Sequence, residues 1–410
     1  MGWFIGGAIL LAVLFGAFAL VRRRRTMWRG RAPHAVPLVY IDTAMAVSPT
    51  VLGHPMPDGY RLASLYFGAG LIDRTETLDH GFPYRIFDPI PKLGPAPATF
   101  ADLCAERAGD LVAEARATNR KLHLLWSGGI DSTTACCALL DALGSETDRL
   151  VIFMNAASRA EYPAFYKTHL RALQTVKINT IDRAFAGDAI VVTGEHGDQL
   201  FGSAKALEFD ISDVRKPWQT ALPVLLAERL ASAERADAIV DYLTPQLARA
   251  PVPLADLFTC LWWMNYSMKW QAVSLRMLPG WRRGTYDRYQ ERVAHFFQTV
   301  PFELWALNHA GQGVGATWQT YKWPARDVIG AFTRDTRYAA TKEKVPSLKG
   351  LVARRFSKAA LAIDADGGQY WQEWDQSLRK RRQEDGSGGG SGGYSSKRED
   401  PLWDDMNDGE

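Results

Sequence analysis

Apolar and amphipathic segments alternate in the middle of the chain, and this alternation constrains the fold most. Residues 121–126, 149–154 and 188–193 form short apolar runs with the length of buried strands. Residues 131–143 and 160–173, which lie between these runs, have helical patterns. Strands that alternate with helices are typical of a parallel sheet with helices on both faces. The sequence therefore predicts an α/β fold.

A capped helix is predicted directly before the first of these strands, over residues 99–118. Thr99 can cap it, and Asp102 follows three residues later in the first turn. After about residue 211 the chain reads as mostly helical, with tryptophan-rich stretches such as 261–270. The expected core is thus a parallel sheet followed by a helical C-terminal extension.

Segments on both sides of this core have a different character. Residues 26–97 are rich in proline and glycine and contain β-like runs at 36–41 and 62–67, which predicts a small irregular or β module. The α/β domain is assigned to residues 98–350. Residues 351–385 are expected to be a helical, basic extension.

The N-terminus predicts one transmembrane helix. Residues 3–21 carry no charge, and a helix of that length spans about 28 Å, close to the hydrocarbon thickness of a bilayer. Residues 22–25 are all arginine. Because basic flanks stay on the cytoplasmic side, we expect residues 1–25 to form a single-pass anchor with its N-terminus outside and the catalytic domain in the cytoplasm.

The C-terminus predicts a disordered segment. Residues 386–393 read GSGGGSGG, the composition of a flexible linker. Residues 399–410 form an acidic tail around a small apolar group that includes Trp403. We expect this tail to bind a protein partner, or a basic patch on a second copy of the chain in a homo-oligomer.

Charge and cysteine content exclude some classes of function. The formal net charge is +3 over 410 residues, so the totals do not favour nucleic acid as a partner. The four cysteines include no CxxC pair, which argues against a zinc site and against a disulfide scaffold.

The first motif with visible chemistry follows the first predicted strand and opens a helix. Adjacent glycines let a backbone curl around an anion, and helix N–H groups then point at it. Hydroxyl groups add donors, and a carboxylate at the mouth can hold Mg²⁺ against phosphates. The predicted nucleotide-binding residues are Ser127, Gly128, Gly129, Asp131, Ser132 and Thr133, with Asp131 also a metal ligand.

A second motif follows the strand predicted at residues 188–193. Gly194 and Glu195 come first and Asp198 follows. Because parallel strands end at one edge of the sheet, these residues should face the same crevice as the glycine loop. Gly194 is a candidate for nucleotide contact, Asp198 for the second metal ligand, and Glu195 for a catalytic base.

These two segments resemble a known family. The first matches the SGGxDS loop of the PP-loop ATP-pyrophosphatase superfamily, whose fold is that of the adenine nucleotide alpha-hydrolases. The second resembles GEGxDExFGG in the synthase domain of asparagine synthetase, but His196, Gln199 and Ser203 depart from that pattern. The resemblance implies ATP and Mg²⁺ as cofactors. Glu161 and Tyr162 stand where this superfamily often places nucleotide contacts.

A third segment extends the resemblance. Lys322 and Arg326 match the family's KWxxR segment, and Lys342 with Glu343 resembles its later catalytic lysine–glutamate pair. Lysines there would stabilise charge on the α-phosphate and on the departing pyrophosphate. We therefore expect Lys322 and Lys342 to be catalytic, together with Glu195.

Two departures narrow the expected reaction. The family's glutaminase needs a cysteine after the initiator methionine, where this chain has Gly2, and residues 32–97 are too short for that domain. Glutamine hydrolysis in the same chain is therefore not expected. Ser267 and Met268 resemble the family's SMA helix, but Lys269 follows, so aspartate is not the expected substrate.

The resemblance implies an ATP-dependent carbon–nitrogen ligase. It would adenylylate the carboxylate or amide of an unknown small-molecule or peptide substrate, release pyrophosphate, and pass the activated carbon to an amine or ammonia. Two alternatives stay open at this point: a PP-loop enzyme that modifies a nucleotide or tRNA base, and a membrane-tethered scaffold that keeps the fold without catalysis.

Overall fold

The computed structural model of the chain describes residues 36–96, 98–179, 181–281, 285–335, 337–338 and 359–373. The predicted membrane helix at 3–21, Lys342 and the tail at 399–410 lie outside these residues. Within the described residues, no helix combines the length and apolar character needed to cross a membrane.

The regular elements of the described residues are numbered along the chain. The strands are β1 (Leu38–Ile41), β2 (Thr50–Val51), β3 (His54–Pro55), β4 (Lys121–Leu125), β5 (Leu150–Met154), β6 (Gln174–Lys177), β7 (Ala189–Thr193), β8 (Val293–His295), β9 (Ala359–Ile363) and β10 (Gln369–Glu373). The helices are α1 (Thr43–Ala46), α2 (Asp58–Phe67), α3 (Phe100–Ala117), α4 (Ile130–Leu143), α5 (Ala156–Glu161), α6 (Pro163–Phe165), α7 (Gly197–Phe201), α8 (Ile211–Val214), α9 (Trp218–Leu230), α10 (Ala233–Leu247), α11 (Leu257–Met268), α12 (Trp270–Leu275), α13 (Tyr286–Arg292), α14 (Val300–Asn308) and α15 (Trp323–Thr333).

A five-stranded parallel sheet lies at the centre of the molecule. Its strand order is β6-β5-β4-β7-β8, and each neighbouring pair is parallel. Every residue of β5 and β7 is buried, as expected when helices cover both faces of a sheet. The α/β fold with a parallel sheet flanked by helices is therefore confirmed.

The helix pattern around this sheet is confirmed in one place and wrong in another. The capped helix is α3: the Thr99 hydroxyl accepts a hydrogen bond from the N–H of Asp102, whose carboxylate accepts one from Thr99. The single helix predicted over 160–173 is wrong. The chain forms α5, α6 and a π-helical turn at Tyr166–Leu170. The break falls at Pro163, which has no N–H for the preceding turn.

The run at residues 62–67 is not a strand; it belongs to helix α2. The buried side chains Tyr60, Ala63, Ser64 and Phe67 are spaced three and four residues apart and lie on one helical face. The helix ends where Gly68 takes a left-handed conformation at φ 61°.

The helical extension predicted over 351–385 is wrong at the described residues 359–373, where β9 and β10 lie. They pair antiparallel, and β9 pairs on its other side with β1, so the sheet order is β1-β9-β10. Three of the five residues of β9 are alanines, which favour helices in isolation. Pairing with two neighbours outweighs that local preference.

One hydrophobic core runs from the N-terminal segment into the α/β domain. The N–H of Ile72 donates to Met268, and the N–H of Arg74 to Ser267, each at 3.0 Å. The Arg74 guanidinium lies 2.5 Å from Glu303, and both side chains are fully buried. The N-terminal segment thus fixes α11 and α14.

Candidate functional site

The central sheet has a switch point between β4 and β7. From β4 the chain adds β5 and β6 on one side, then β7 and β8 on the other. Loops that leave two such strands diverge and form a crevice at the carboxyl ends. Leu125 and Thr193, the last residues of β4 and β7, are paired in register. The segments 127–132 and 194–198 therefore begin side by side at this crevice.

The loop after β4 is curled around its glycines. Gly128 has a φ of +77°, and a Cβ there would lie 2.4 Å from the carbonyl oxygen of Ser158. Gly129 is the N-cap residue of α4, and no side chain caps this helix. A helix N-terminus that begins in this way presents its first N–H groups to an anion.

Hydrogen bonds of two serines hold the two ends of this loop together. The hydroxyls of Ser127 and Ser132 lie 2.8 Å apart, and Ser132 Oγ accepts the N–H of Ser127 at 3.0 Å. Ser127 Oγ also accepts the N–H of Gly129 at 3.2 Å. Thr133 is placed differently: it is fully buried and accepts a hydrogen bond from the Trp126 indole at 3.1 Å. Thr133 therefore supports the loop from the core.

The loop after β7 packs against the glycine loop at two glycines. A Cβ on Gly194 would lie 2.6 Å from the backbone nitrogen of Ser132. A Cβ on Gly197 would lie 2.3 Å from the carboxylate of Asp131. The small size of both residues allows this approach, which brings the carboxylates of the two loops to one place.

Asp131 and Asp198 meet at the ammonium of Lys322. The Lys322 Nζ lies 2.5 Å and 2.7 Å from the two oxygens of Asp131 and 2.8 Å from Asp198. Burial lowers the pKa of Lys322, but attraction to both carboxylates outweighs burial, and the net shift is upward. The structure thus joins all three predicted residues in one charged cluster.

The backbone of Lys322 is held in a specific conformation. Its φ is +61°, it forms the N-cap of α15, and its N–H donates to the Gly313 carbonyl at 2.8 Å. Gly313 in turn packs so closely that a Cβ would lie 1.8 Å from the Phe201 carbonyl oxygen. Arg326, the other residue of the third motif, is buried and donates to the Tyr321 carbonyl at 2.7 Å. It therefore supports the turn that carries Lys322.

Glu195 forms an ion pair with Arg276, the residue after α12. Its backbone N–H donates to the Thr193 hydroxyl at 3.2 Å. That hydroxyl lies 2.7 Å from His295 Nδ1, while His295 Nε2 lies 2.8 Å from the Ser274 carbonyl. Because the carbonyl can only accept, His295 carries its proton on Nε2 and accepts the Thr193 hydroxyl at Nδ1.

Burial supports the neutral form of this histidine, since it lowers the pKa of His295 to about 4. Sequence reasoning missed Arg276. A single arginine after a tryptophan-rich helix has no motif around it, and only the tertiary fold brings it to Glu195.

The departures from the family pattern have local explanations. His196 stands at the second glycine of GEGxDE and has a φ of +73°, a conformation that favours glycine. It is buried, with Nε2 3.1 Å from the Ser274 hydroxyl. Gln199, at the position of an acid, donates to Asn265 at 3.2 Å. Asn265 also donates to the carbonyl of Asp198 at 3.0 Å, so a neutral amide pair supports the metal-ligand candidate.

Two stacked tyrosines lie against the glycine loop. Tyr162 and Tyr338 have ring centroids 3.7 Å apart, and the Tyr338 hydroxyl donates to the Gly128 carbonyl at 3.5 Å. Glu161 lies on the same side, since a Cβ on Gly128 would lie 2.9 Å from its Cβ. Glu161 and Tyr162 therefore lie beside the glycine loop, and their contact with a nucleotide stays a prediction. Lys342 lies outside the described residues.

The donors at the switch point fit Mg²⁺ bound together with a nucleotide. Within the described residues, no group of three or more His, Cys, Asp or Glu side chains could hold a metal ion. Asp131 and Asp198 supply two carboxylates from neighbouring loops. Mg²⁺ is commonly held by one or two carboxylates plus substrate phosphates, which is the arrangement these residues could offer.

No protein-family model matches this chain, and a search of curated proteins finds no match either. What the chain does must therefore be inferred from its own residues and their geometry.

Proposed function

We propose that this chain binds Mg²⁺·ATP at the β4/β7 switch point and adenylylates a carboxylate or amide oxygen of its substrate, with release of pyrophosphate. The observation that carries this proposal is the cluster of Asp131, Asp198 and Lys322 directly beside the loop at 127–132. In this proposal the chain is an asparagine synthetase-like member of the PP-loop superfamily, with its adenine nucleotide alpha-hydrolase-like fold.

The residues of the crevice have different proposed roles toward the nucleotide. The glycine loop and the N-terminus of α4 bind phosphate oxygens, with Ser127 and Ser132 as further donors. Asp131 and Asp198 would hold the metal, whose charge would neutralise part of the charge on the phosphates. Lys322 stabilises the negative charge that grows on the phosphates as the bond to pyrophosphate breaks.

Lys342 is proposed as the second cation for the same charge. It follows Tyr338, which contacts Gly128, by four positions in the sequence. Four residues can span up to about 14 Å, so covalent geometry permits Lys342 to reach the glycine loop.

Glu195 is proposed to act after adenylylation, when an amine or ammonia attacks the activated carbon. Its carboxylate lies on the same edge of the sheet as Asp198 and keeps 18% of its side-chain surface exposed. There it can accept a proton from the amine or ammonia that attacks the adenylylated carbon. Arg276 orients this carboxylate through their ion pair.

The cellular setting is part of the proposal. The enzyme is proposed to be held at a membrane by residues 3–21, with the arginines at 22–25 and the catalytic domain on the cytoplasmic side. The acidic tail at 399–410 is proposed to bind a protein partner or a second copy of the chain.

A second candidate function is a nucleotide-binding scaffold without catalysis. Gln199 favours it, because an acid of the family pattern is replaced there by an amide that is bonded to Asn265 inside the fold. Such a protein would bind ATP without releasing pyrophosphate.

The deciding experiment uses the full chain in detergent. Pyrophosphate release is measured with Mg²⁺·ATP against a panel of carboxylates, amides and peptides, with and without ammonium. The adenylylating enzyme predicts Mg²⁺-dependent pyrophosphate with at least one substrate class and none from Asp198→Asn. ATP binding with no pyrophosphate from any substrate supports the scaffold, and no ATP binding rejects both functions.

A further inference from the structure

Lys322 places one ammonium between the carboxylates of two loops. Its side chain is 2% exposed, whereas Asp131 and Asp198 keep 23% and 30% of their side-chain surface exposed. The cation therefore lies on the inner side of the pair, and both carboxylates reach the crevice. The Lys322 Nζ lies within 2.8 Å of an oxygen of each carboxylate.

These carboxylate oxygens are the ligands that the proposed function assigns to Mg²⁺. Charges of the same sign repel strongly at such distances when solvent is partly excluded. A divalent ion that binds both carboxylates must therefore displace the ammonium or accept its repulsion. The ammonium thus competes with any metal ion that enters the crevice alone.

We propose that Lys322 is a resident counter-ion that prevents Mg²⁺ from binding alone and releases Asp131 and Asp198 only to Mg²⁺ that arrives with ATP. This inference rests on the proposed function, because it concerns the same nucleotide site. It adds a ground-state role for Lys322 to the role proposed for it during pyrophosphate release.

The backbone of Lys322 is fixed, so only its side chain would move when the ammonium leaves. The N–H of Lys322 donates to the Gly313 carbonyl at 2.8 Å, and the close contact between Gly313 and Phe201 fixes that carbonyl. A lysine ammonium sits on a flexible stem of four carbons and has three donors. Phosphate oxygens in the glycine loop would give these donors new anionic partners, so rotation of the side chain can free both carboxylates.

Metal binding to the full chain tests this inference with Mn²⁺ as the probe. Free Mn²⁺ is measured by electron paramagnetic resonance, with and without α,β-methylene-ATP, which releases no pyrophosphate. The Mn²⁺ that the nucleotide binds without protein is measured separately and subtracted. The wild type should bind Mn²⁺ at least tenfold more weakly without the nucleotide than with it. Lys322→Gln should bind Mn²⁺ at least tenfold more tightly than the wild type when no nucleotide is present.

Two matched variants control this measurement. Lys322→Arg keeps a positive charge, so it should bind Mn²⁺ alone as weakly as the wild type. Adding Asp131→Asn to Lys322→Gln removes one metal ligand, so the double variant should lose the tighter Mn²⁺ binding of Lys322→Gln. Circular dichroism reports whether each variant is folded, and Lys322→Met, which keeps an unbranched stem without the charge, replaces Lys322→Gln if that variant is not.

The outcomes separate this inference from the proposed function. If a folded Lys322→Gln variant binds Mn²⁺ alone no more tightly than the wild type, while the nucleotide still promotes binding, only the inference is overturned. The same holds if the wild type binds Mn²⁺ equally well with and without the nucleotide. If Mn²⁺ does not bind the wild type even with the nucleotide, the proposed function fails and the inference fails with it.

Discussion

Gly194 lies so close to Ser132 that a Cβ on the glycine would be 2.6 Å from the serine's backbone nitrogen. The loops after β4 and β7 therefore pack backbone against backbone. This contact fixes the separation of Asp131 and Asp198, and with it the width of the crevice.

Gly194→Ala should lower the free energy of unfolding by about 1–3 kcal/mol, the usual cost of overpacking a tight site. The neighbouring atoms are backbone and cannot rotate away. Urea denaturation measures the change. Gly330→Ala is the matched control, because Gly330 lies within α15 and nothing lies within 4 Å of a Cβ added there. Its free energy of unfolding should rise by about 0.5–1 kcal/mol. Equal stability of the Gly194 variant and the wild type would contradict the packing of the two loops.

Asp131→Asn and Asp198→Asn should each reduce Mg²⁺-dependent pyrophosphate release by about a hundredfold or more, because each removes the charge of a proposed metal ligand. Both variants should stay folded, since the other carboxylate still pairs with Lys322. Steady-state assays and near-ultraviolet circular dichroism measure these two properties. Asp110→Asn, on the exposed face of α3, is the control and should keep full activity. Wild-type rates from either site variant would remove Asp131 and Asp198 from the proposed mechanism.

The buried pair of Arg74 and Glu303 should make stability depend on pH. Burial raises the pKa of Glu303 from its ordinary value of 4.5 to about 7, against the opposing attraction of Arg74. Between these two values the folded state holds more protons on Glu303 than the unfolded chain does. The contribution of Glu303 to stability is therefore fully present below pH 4.5 and declines as the pH rises to about 7.

Glu303→Gln removes this titration, so its free energy of unfolding should fall less steeply than that of the wild type between pH 4.5 and 7. Chemical denaturation at several pH values measures both slopes. Glu114→Gln, exposed on α3, should leave the wild-type slope unchanged. Parallel curves for the wild type and Glu303→Gln would show that Glu303 titrates alike in both states.

Removal of residues 1–25 should give a protein that stays in solution without detergent and releases pyrophosphate at the wild-type rate, because the site begins at Ser127. Sedimentation and activity assays measure this. A cysteine placed beside Gly2 in the full chain should react with an impermeant maleimide added to intact cells, whereas a cysteine near Glu410 should not. The opposite labelling pattern would reverse the proposed orientation.

The acidic tail should act in binding and not in catalysis. Truncation at Gly386 should leave pyrophosphate release unchanged and remove a partner from a pull-down with the full chain as bait. Trp403→Ala should weaken the same interaction, because tryptophan is the largest apolar side chain in the tail. Recovery of identical partners in identical amounts by the Trp403 variant would reject the tail as an anchor.

The sequence predicts three of the five strands of the central sheet and the two loops at the crevice, because these depend on local signals. It predicts neither β6 nor β8, and β8 lies in the region that is predicted to be mostly helical. Strands β4, β5 and β7 are short apolar runs, and a motif with two glycines follows β4 and another follows β7. The positions of Asp131 and Asp198 follow from parallel strand pairing alone. Thr133 shows the limit of a motif: it matches in position, but the Trp126 indole holds it in the core.

Contacts between distant segments could not be predicted in this way. Arg276 reaches Glu195 only because α12 packs against β8, where His295 contacts the Ser274 carbonyl, and no short sequence pattern predicts that contact. The strands β9 and β10 depend on β1, and their alanines alone favour a helix. The helix break at Pro163 could have been predicted from the sequence, since proline within a helical pattern signals an interruption.

The pairing of β1 with β9 sets an order of events during synthesis. Leu38 is translated long before its partner Ala362. At about 5–20 residues per second, the ribosome needs on the order of tens of seconds to make the intervening chain. Throughout that interval β1 has an unsatisfied edge, which is a site for wrong pairing. β1 is therefore open to wrong pairing until β9 has been made, and a chain interrupted before β9 cannot close this sheet.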